Sequence, residues 1–222
     1  MTADLRSKAT PAEGARRHPV LSAVVAVYIA AWLVYGLVAG SKLMAPYIVI
    51  VAGLALAIAA ADAKVHFSLL VLVGLAVWGF GHLAGGLVPL DGPGDRILYN
   101  ATFLRWGHFD NVVHAIGFGT AGVGVWEATR TWLPAAPGHR LGTALIVCLL
   151  GQGVGAFNEV VEFGASHVLA ATNVGGYENT GRDLVANLVG TAFAGWLVSR
   201  RVGGSAAPRP APSPSRTSPG DR

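Results

Sequence analysis

Cysteine is nearly absent from this chain. Cys148 stands alone among 222 residues, which excludes an intrachain disulfide and any C-x-x-C redox or metal motif. It lies in the middle of an apolar run, where a thiol serves as a small buried apolar group. Charge is scarce as well. Asp, Glu, Lys and Arg make up 13% of the residues, against about 25% in soluble domains. In their place, 53% of the chain is hydrophobic and the mean hydropathy is +0.52. That composition excludes an ordinary soluble domain and points to a membrane protein. The formal charge of +4 is informative by position and is not a nucleic-acid footprint.

Six apolar segments, each near the roughly 20 residues needed to span a bilayer, fall at about 20–40, 45–61, 67–88, 110–132, 141–165 and 183–201. The expected fold is therefore all-α, a polytopic bundle of six transmembrane helices over residues 20–202. Residues 1–19 form a polar, basic N-terminal segment without a helical apolar period. Residues 203–222, rich in Pro and Ser and lacking aromatics, read as a disordered tail. A cleaved signal peptide is the alternative for the N-terminus, but its apolar core usually runs 7–15 residues, shorter than the first segment here. Six spans put both termini on one side. That side collects twelve Lys and Arg residues against four on the other, so both termini are expected in the cytoplasm. The expected location is a bacterial plasma (inner) membrane, crossed several times.

The topology gives depth to the polar residues within the spans. At about 1.5 Å per residue, His82, His114, Glu159 and Asn187 fall at a common level, roughly 6–9 Å inside the outer boundary. Asp110, Glu162 and Asp183 form a shallower ring above them. Ionisable residues at such depth cost about 2.5–3.5 kcal/mol each on insertion scales and turn toward the bundle interior. These seven residues are thus expected to line one pocket open to the outer face. Two plainer readings stand beside this one. Asp110, Glu162 and Asp183 lie near the boundary, where side chains snorkel to water, and Asp110 and Asp183 also favour helix N-termini. The layer could equally be a structural cluster that joins helices without a ligand.

A divalent metal such as zinc accepts the mixed nitrogen and oxygen donors of His82, His114 and Glu159, with Asp110 or Glu162 in reserve. Asp110 and His114, at i and i+4, project from one helix face. The sequence "GFGTAG" at 117–122 satisfies G-x-G-x-x-G but sits inside an apolar helix without the strand that a dinucleotide fold requires. Its glycines, with Gly81/Gly85 and Gly151/Gly155, suit close helix contact. "NAT" at 100–102 is a weak glycosylation match. Trp78, Trp106, Trp126, Trp132 and Trp196 suit interfacial anchoring. A proton-coupled transporter is disfavoured, because titratable groups gather at one end of the spans and inverted repeats are not evident.

The ordered motifs "GHLAGGLVP", "FDNVVHAIGFG", "NEVVEF" and "ENTGRDLVANLVG" resemble the YjdF-type family of uncharacterised bacterial inner-membrane proteins. More remotely, the order D-x3-H, E-x2-E, D-x3-N-x2-G resembles VanZ-like proteins, although their E-x2-Q appears here as Glu159 and Glu162. The resemblance covers residues 78–199 and implies a fold and a site without an assigned reaction. Two functions stay open. One is binding of an envelope lipid or precursor headgroup in the polar pocket, with the loop 91–108 as a lid. The other is a membrane-embedded, metal-dependent hydrolase or transferase acting on a lipid, in which Glu159 activates water.

Overall fold

The computed structural model describes residues 10–91, 96–104, 107–130, 139–168, 172 and 175–202. The expected tail at 203–222, residues 1–9, Trp106 and Trp132 lie outside the described residues. Seven helices run in chain order: α1 (Pro11–Arg17), α2 (Pro19–Val38), α3 (Met44–Val65), α4 (Leu69–Leu87), α5 (Phe109–Thr129), α6 (Arg140–Val168) and α7 (Tyr177–Val202). The segment between α4 and α5 carries a 3-10 turn at Leu98–Asn100 and a small antiparallel pair, β1 (Thr102–Leu104) with β2 (Gly107–His108). Among the described residues α2, α3, α4 and α6 are long and apolar enough to cross a membrane. Their outward faces carry exposed aliphatic side chains, Val27 on α2 and Val49 on α3 among them.

The N-terminal segment contributes a short helix. Residues 11–17 are helical although they show no apolar period, because their signal is local. The Thr10 hydroxyl accepts from the Glu13 amide while the Glu13 carboxylate accepts from the Thr10 amide, and Pro11 opens the helix. This reciprocal cap satisfies two otherwise orphaned donors. Helix α1 then packs flat on α3. A Cβ on Gly14 would lie 1.8 Å from the Ala59 carbonyl oxygen, so only glycine permits this approach. Asp62, 1% exposed, fixes the arrangement by accepting from the Arg17 Nε–H at 3.0 Å and the Phe67 amide at 2.8 Å. At the same end the Ser68 hydroxyl caps α4, and its amide donates to Glu127 near the end of α5 at 2.8 Å.

Helices α5, α6 and α7 form the tightest part of the bundle. Glycines let their backbones touch: a Cβ on Gly190 of α7 would meet the Ala115 carbonyl of α5 at 2.0 Å, and one on Gly122 would meet Val147 and Gly151 of α6. Close approach without side chains is how membrane helices associate, since hydrocarbon gives no hydrophobic drive for it. At the end bearing the α5 C-terminus, Val71, Val123, Trp126, Val147, Ala194 and Val198 fill the space between helices. Helix α7 starts well before the apolar segment expected at 183, because Tyr177–Arg182 is polar yet continues the helix.

Candidate functional site

The other end of this three-helix unit is polar. Asp110, Asn111 and His114 come from the first turns of α5, Glu159 and Glu162 from the last third of α6, and Asn179, Asp183 and Asn187 from the start of α7. Helical spacing sets each group: Asp110 and His114 are one turn apart, as are Asn179, Asp183 and Asn187 in succession. Crossing α5 over α7 at Gly190 brings the two faces into contact. Asp183 and Asn187 are fully buried, and His114 and Glu159 are 6% and 7% exposed.

Amide side chains orient the ligand-type groups. Asp183 accepts from the Asn111 amide at 2.9 Å through Oδ1 and from the Asn179 amide at 2.6 Å through Oδ2. The Asn179 amide also reaches Asp110 at 3.5 Å. The His114 Nδ1–H points at the Asn187 amide oxygen, 3.2 Å away. That assignment leaves the Nε2 lone pair facing Asp110, whose Oδ1 lies 3.7 Å from it. Glu159 Oε1 lies 3.7 Å from His114 Nδ1 on the other side. A separation of 3.7 Å is too long for a hydrogen bond. For Nε2 and Asp110 it is close to the roughly 3.4 Å between two ligands on one tetrahedral ion with bonds of about 2.1 Å, whereas the Nδ1 beside Glu159 carries the proton in this tautomer.

Two sets of donors lie near enough to share a cation: Asp110, His114 and Asp183, and His114, Glu159 and Glu162, each with its ligand atoms within 4.8 Å of one another. Neither oxygen of Glu159 accepts a hydrogen bond among the described residues, and the Asn187 amide nitrogen is likewise without a partner. Glu162, less buried, accepts from the Asn158 amide at 2.7 Å. No Lys or Arg of the described residues forms an ion pair with these four carboxylates; Arg182, one residue before Asp183, pairs outward with Glu178 instead. Among the described residues the aligned carboxylates therefore have no Lys or Arg partner.

His82 sits apart from these donor sets. Its Nδ1 meets the Tyr99 hydroxyl, its ring stacks on Trp78 with centroids 5.2 Å apart, and Tyr47 covers it at 5.0 Å. The Tyr99 hydroxyl also donates to the His82 carbonyl at 3.2 Å. Burial pushes the Tyr99 phenol well above its ordinary value of 10, so it remains a neutral donor. This aromatic box pins the turn after α4 against the bundle; a Cβ on Gly85 would strike the Tyr99 ring. Of the residues expected on one level, His114, Glu159 and Asn187 come together, joined by Asp110, Glu162 and Asp183. Sequence reasoning missed Asn111, Asn179 and Tyr99. Asn179 stands one helical turn before Asp183, a spacing visible in the sequence once α7 is extended back to Tyr177.

A family described as "Predicted membrane protein (DUF2238)" matches residues 20–203, and the chain belongs to it. This is the YjdF-type family. No curated protein and no solved structure matches the chain.

Proposed function

We propose that this member of the family holds a divalent metal ion at Asp110, His114 and Asp183, and through it binds the phosphate headgroup of an envelope lipid or lipid-linked precursor. In this reading α2–α7 all cross a bacterial inner membrane, both termini are cytoplasmic, and the site opens toward the outer leaflet. The observation that carries it is the triad's support. Amides orient Asp183, through Asn111 and Asn179, and His114, through Asn187, with Asn179 also reaching Asp110 at 3.5 Å, as metal ligands are oriented by a second layer. Three protein ligands leave a fourth position on the ion for a substrate oxygen.

Charge decides why a metal is needed. Four carboxylates without a Lys or Arg partner among the described residues repel a phosphate, whereas a bound divalent cation inverts the local field. Glu159 lies across the His114 ring from the triad, buried and without a hydrogen bond among the described residues, and its charge adds to the field that a cation at the triad would offset. The 3-10 turn at Leu98–Asn100, pinned through Tyr99, packs on α5 beside the site.

Native mass spectrometry with glycerol phosphate as headgroup probe tests the reading. Binding is expected in the zinc-loaded protein and lost on chelation, with recovery on adding zinc back. Binding that is indifferent to chelation, or absent from the zinc-loaded protein, would overturn it.

A further inference from the structure

A separate cavity lies among the four N-terminal helices. It opens between α1, α2, α3 and α4, and its volume of about 700 Å³ is within the roughly 300–1,000 Å³ range of small-molecule sites. Its wall is apolar over most of its length, with Val25, Val51, Leu72 and Trp78 among the lining residues. Polar groups gather at the α1 end, where His18 and Asp62 line it. Leu54 and Leu56, also in its wall, are 41% and 58% exposed, so the cavity opens sideways on the lipid-facing surface.

We propose that this cavity binds one acyl chain of an anionic phospholipid from the leaflet at the α1 end, with the lipid phosphate held by Arg17 and His18. Protein interiors do not leave voids of this size unfilled, and water needs two to four polar partners that the apolar length of this wall does not give. Hydrocarbon is the remaining solvent at that depth. Arg17 is ion-paired with Asp62 at this end, but Arg16, Arg17 and Lys64 together outnumber Glu13 and Asp62 there, which suits an anionic headgroup. Arg17 gives only its Nε–H to Asp62 among the described residues, which leaves its terminal N–H pairs for a phosphate, the group that a guanidinium grips in two-point fashion. The His18 Nε2 is buried without a hydrogen bond, 3.9 Å from Asp62, and faces the same end. Helix α1 closes this end of the cavity with Thr10–Ala15, so the cap at Thr10 and the docking of Gly14 on Ala59 shape the lipid site. The site shares no residue with the Asp110–His114–Asp183 cluster and stands or falls separately from it.

Native mass spectrometry of the full chain purified in mild detergent tests the proposal. One phospholipid per chain is expected on the wild type, and phosphatidylglycerol added in excess should displace it in preference to phosphatidylcholine. The double variant Ala55→Phe, Ala76→Phe fills the cavity from two walls, and its lipid occupancy should fall at least about tenfold. Quenching of tryptophan fluorescence by phosphatidylglycerol with brominated chains gives a second readout that needs only Trp78→Phe. The saturable part of the quenching should be largely lost in that variant. A wild type without bound phospholipid, a free fatty acid or detergent in its place, full occupancy in the double variant, or unchanged saturable quenching in Trp78→Phe would each overturn it.

Discussion

Gly190→Ala is the smallest change that separates the helices holding the polar cluster. The added Cβ would lie 2.0 Å from the Ala115 carbonyl oxygen, with the Ala115 carbonyl carbon and Cα at 2.7 and 2.8 Å. Those are backbone atoms of a helix and cannot rotate away. Reaching ordinary contact at 3.4 Å requires α7 to move off α5 as a body. Overpacking of this kind costs about 1–3 kcal/mol, several tenths of which the better helix propensity of alanine returns. Gly190 is less than one turn from Asn187, so the movement falls directly on the 3.2 Å contact with His114. Unfolding in detergent, followed by tryptophan fluorescence and read as the change in free energy, measures the effect. Gly153→Ala is the control, because nothing lies within 4 Å of a Cβ there. It should be neutral or stabilising by up to about 1 kcal/mol. Equal stability of the two variants, within about 0.5 kcal/mol, would refute the close packing of α5 on α7.

Three further outcomes follow from the same geometry. Asp62→Ala removes the acceptor for Arg17 and for the Phe67 amide, and should cost about 2–4 kcal/mol and expose residues 11–17 to protease. Tyr99→Phe breaks the bond to His82, with an expected loss of about 1–2 kcal/mol and faster hydrogen exchange in the turn at 98–100. The Glu13 carboxyl is held below its ordinary value of 4.5 by hydrogen bonds to the Thr10 backbone and hydroxyl. Its contribution to the α1 cap is complete above that value and is lost as the pH falls through the lowered one, which amide exchange at Glu13 and Gly14 should report.

The apolar runs made the long helices legible, since 20-residue stretches of Val, Leu and Ala specify helix length whatever their neighbours. Helix α1 was not legible by periodicity, because seven residues carry a cap and no apolar face. The start of α7 was not legible for a related reason: Tyr177–Arg182 is polar, so the apolar segment begins after the helix does. Within the site, helical spacing made Asp110 with His114 and Asp183 with Asn187 readable as pairs on single faces. Which face meets which depends on rotation about each helix axis, and that is set by glycine contacts such as Gly190 on Ala115. Equal depth placed His82 on the level of His114 in the sequence reading; depth carries no information on rotation, and the contacts of His82 are with the side chains of Tyr47, Trp78 and Tyr99. Asn111 and Asn179 went unseen because a neutral amide in a helix is as common on a wet surface as around a ligand.

The central claim is that the carboxylates around His114 hold a metal ion. Elemental analysis of the protein purified in detergent without chelators, then exchanged into zinc and washed, tests it most directly. About one equivalent of zinc per chain is expected in the wild type, falling at least about tenfold in Asp183→Asn, with a loss of about ten- to a hundredfold in affinity for Asn179→Ala, whose amide orients Asp183. A wild type that retains no zinc, or an Asp183→Asn protein that retains as much as the wild type, would contradict the claim.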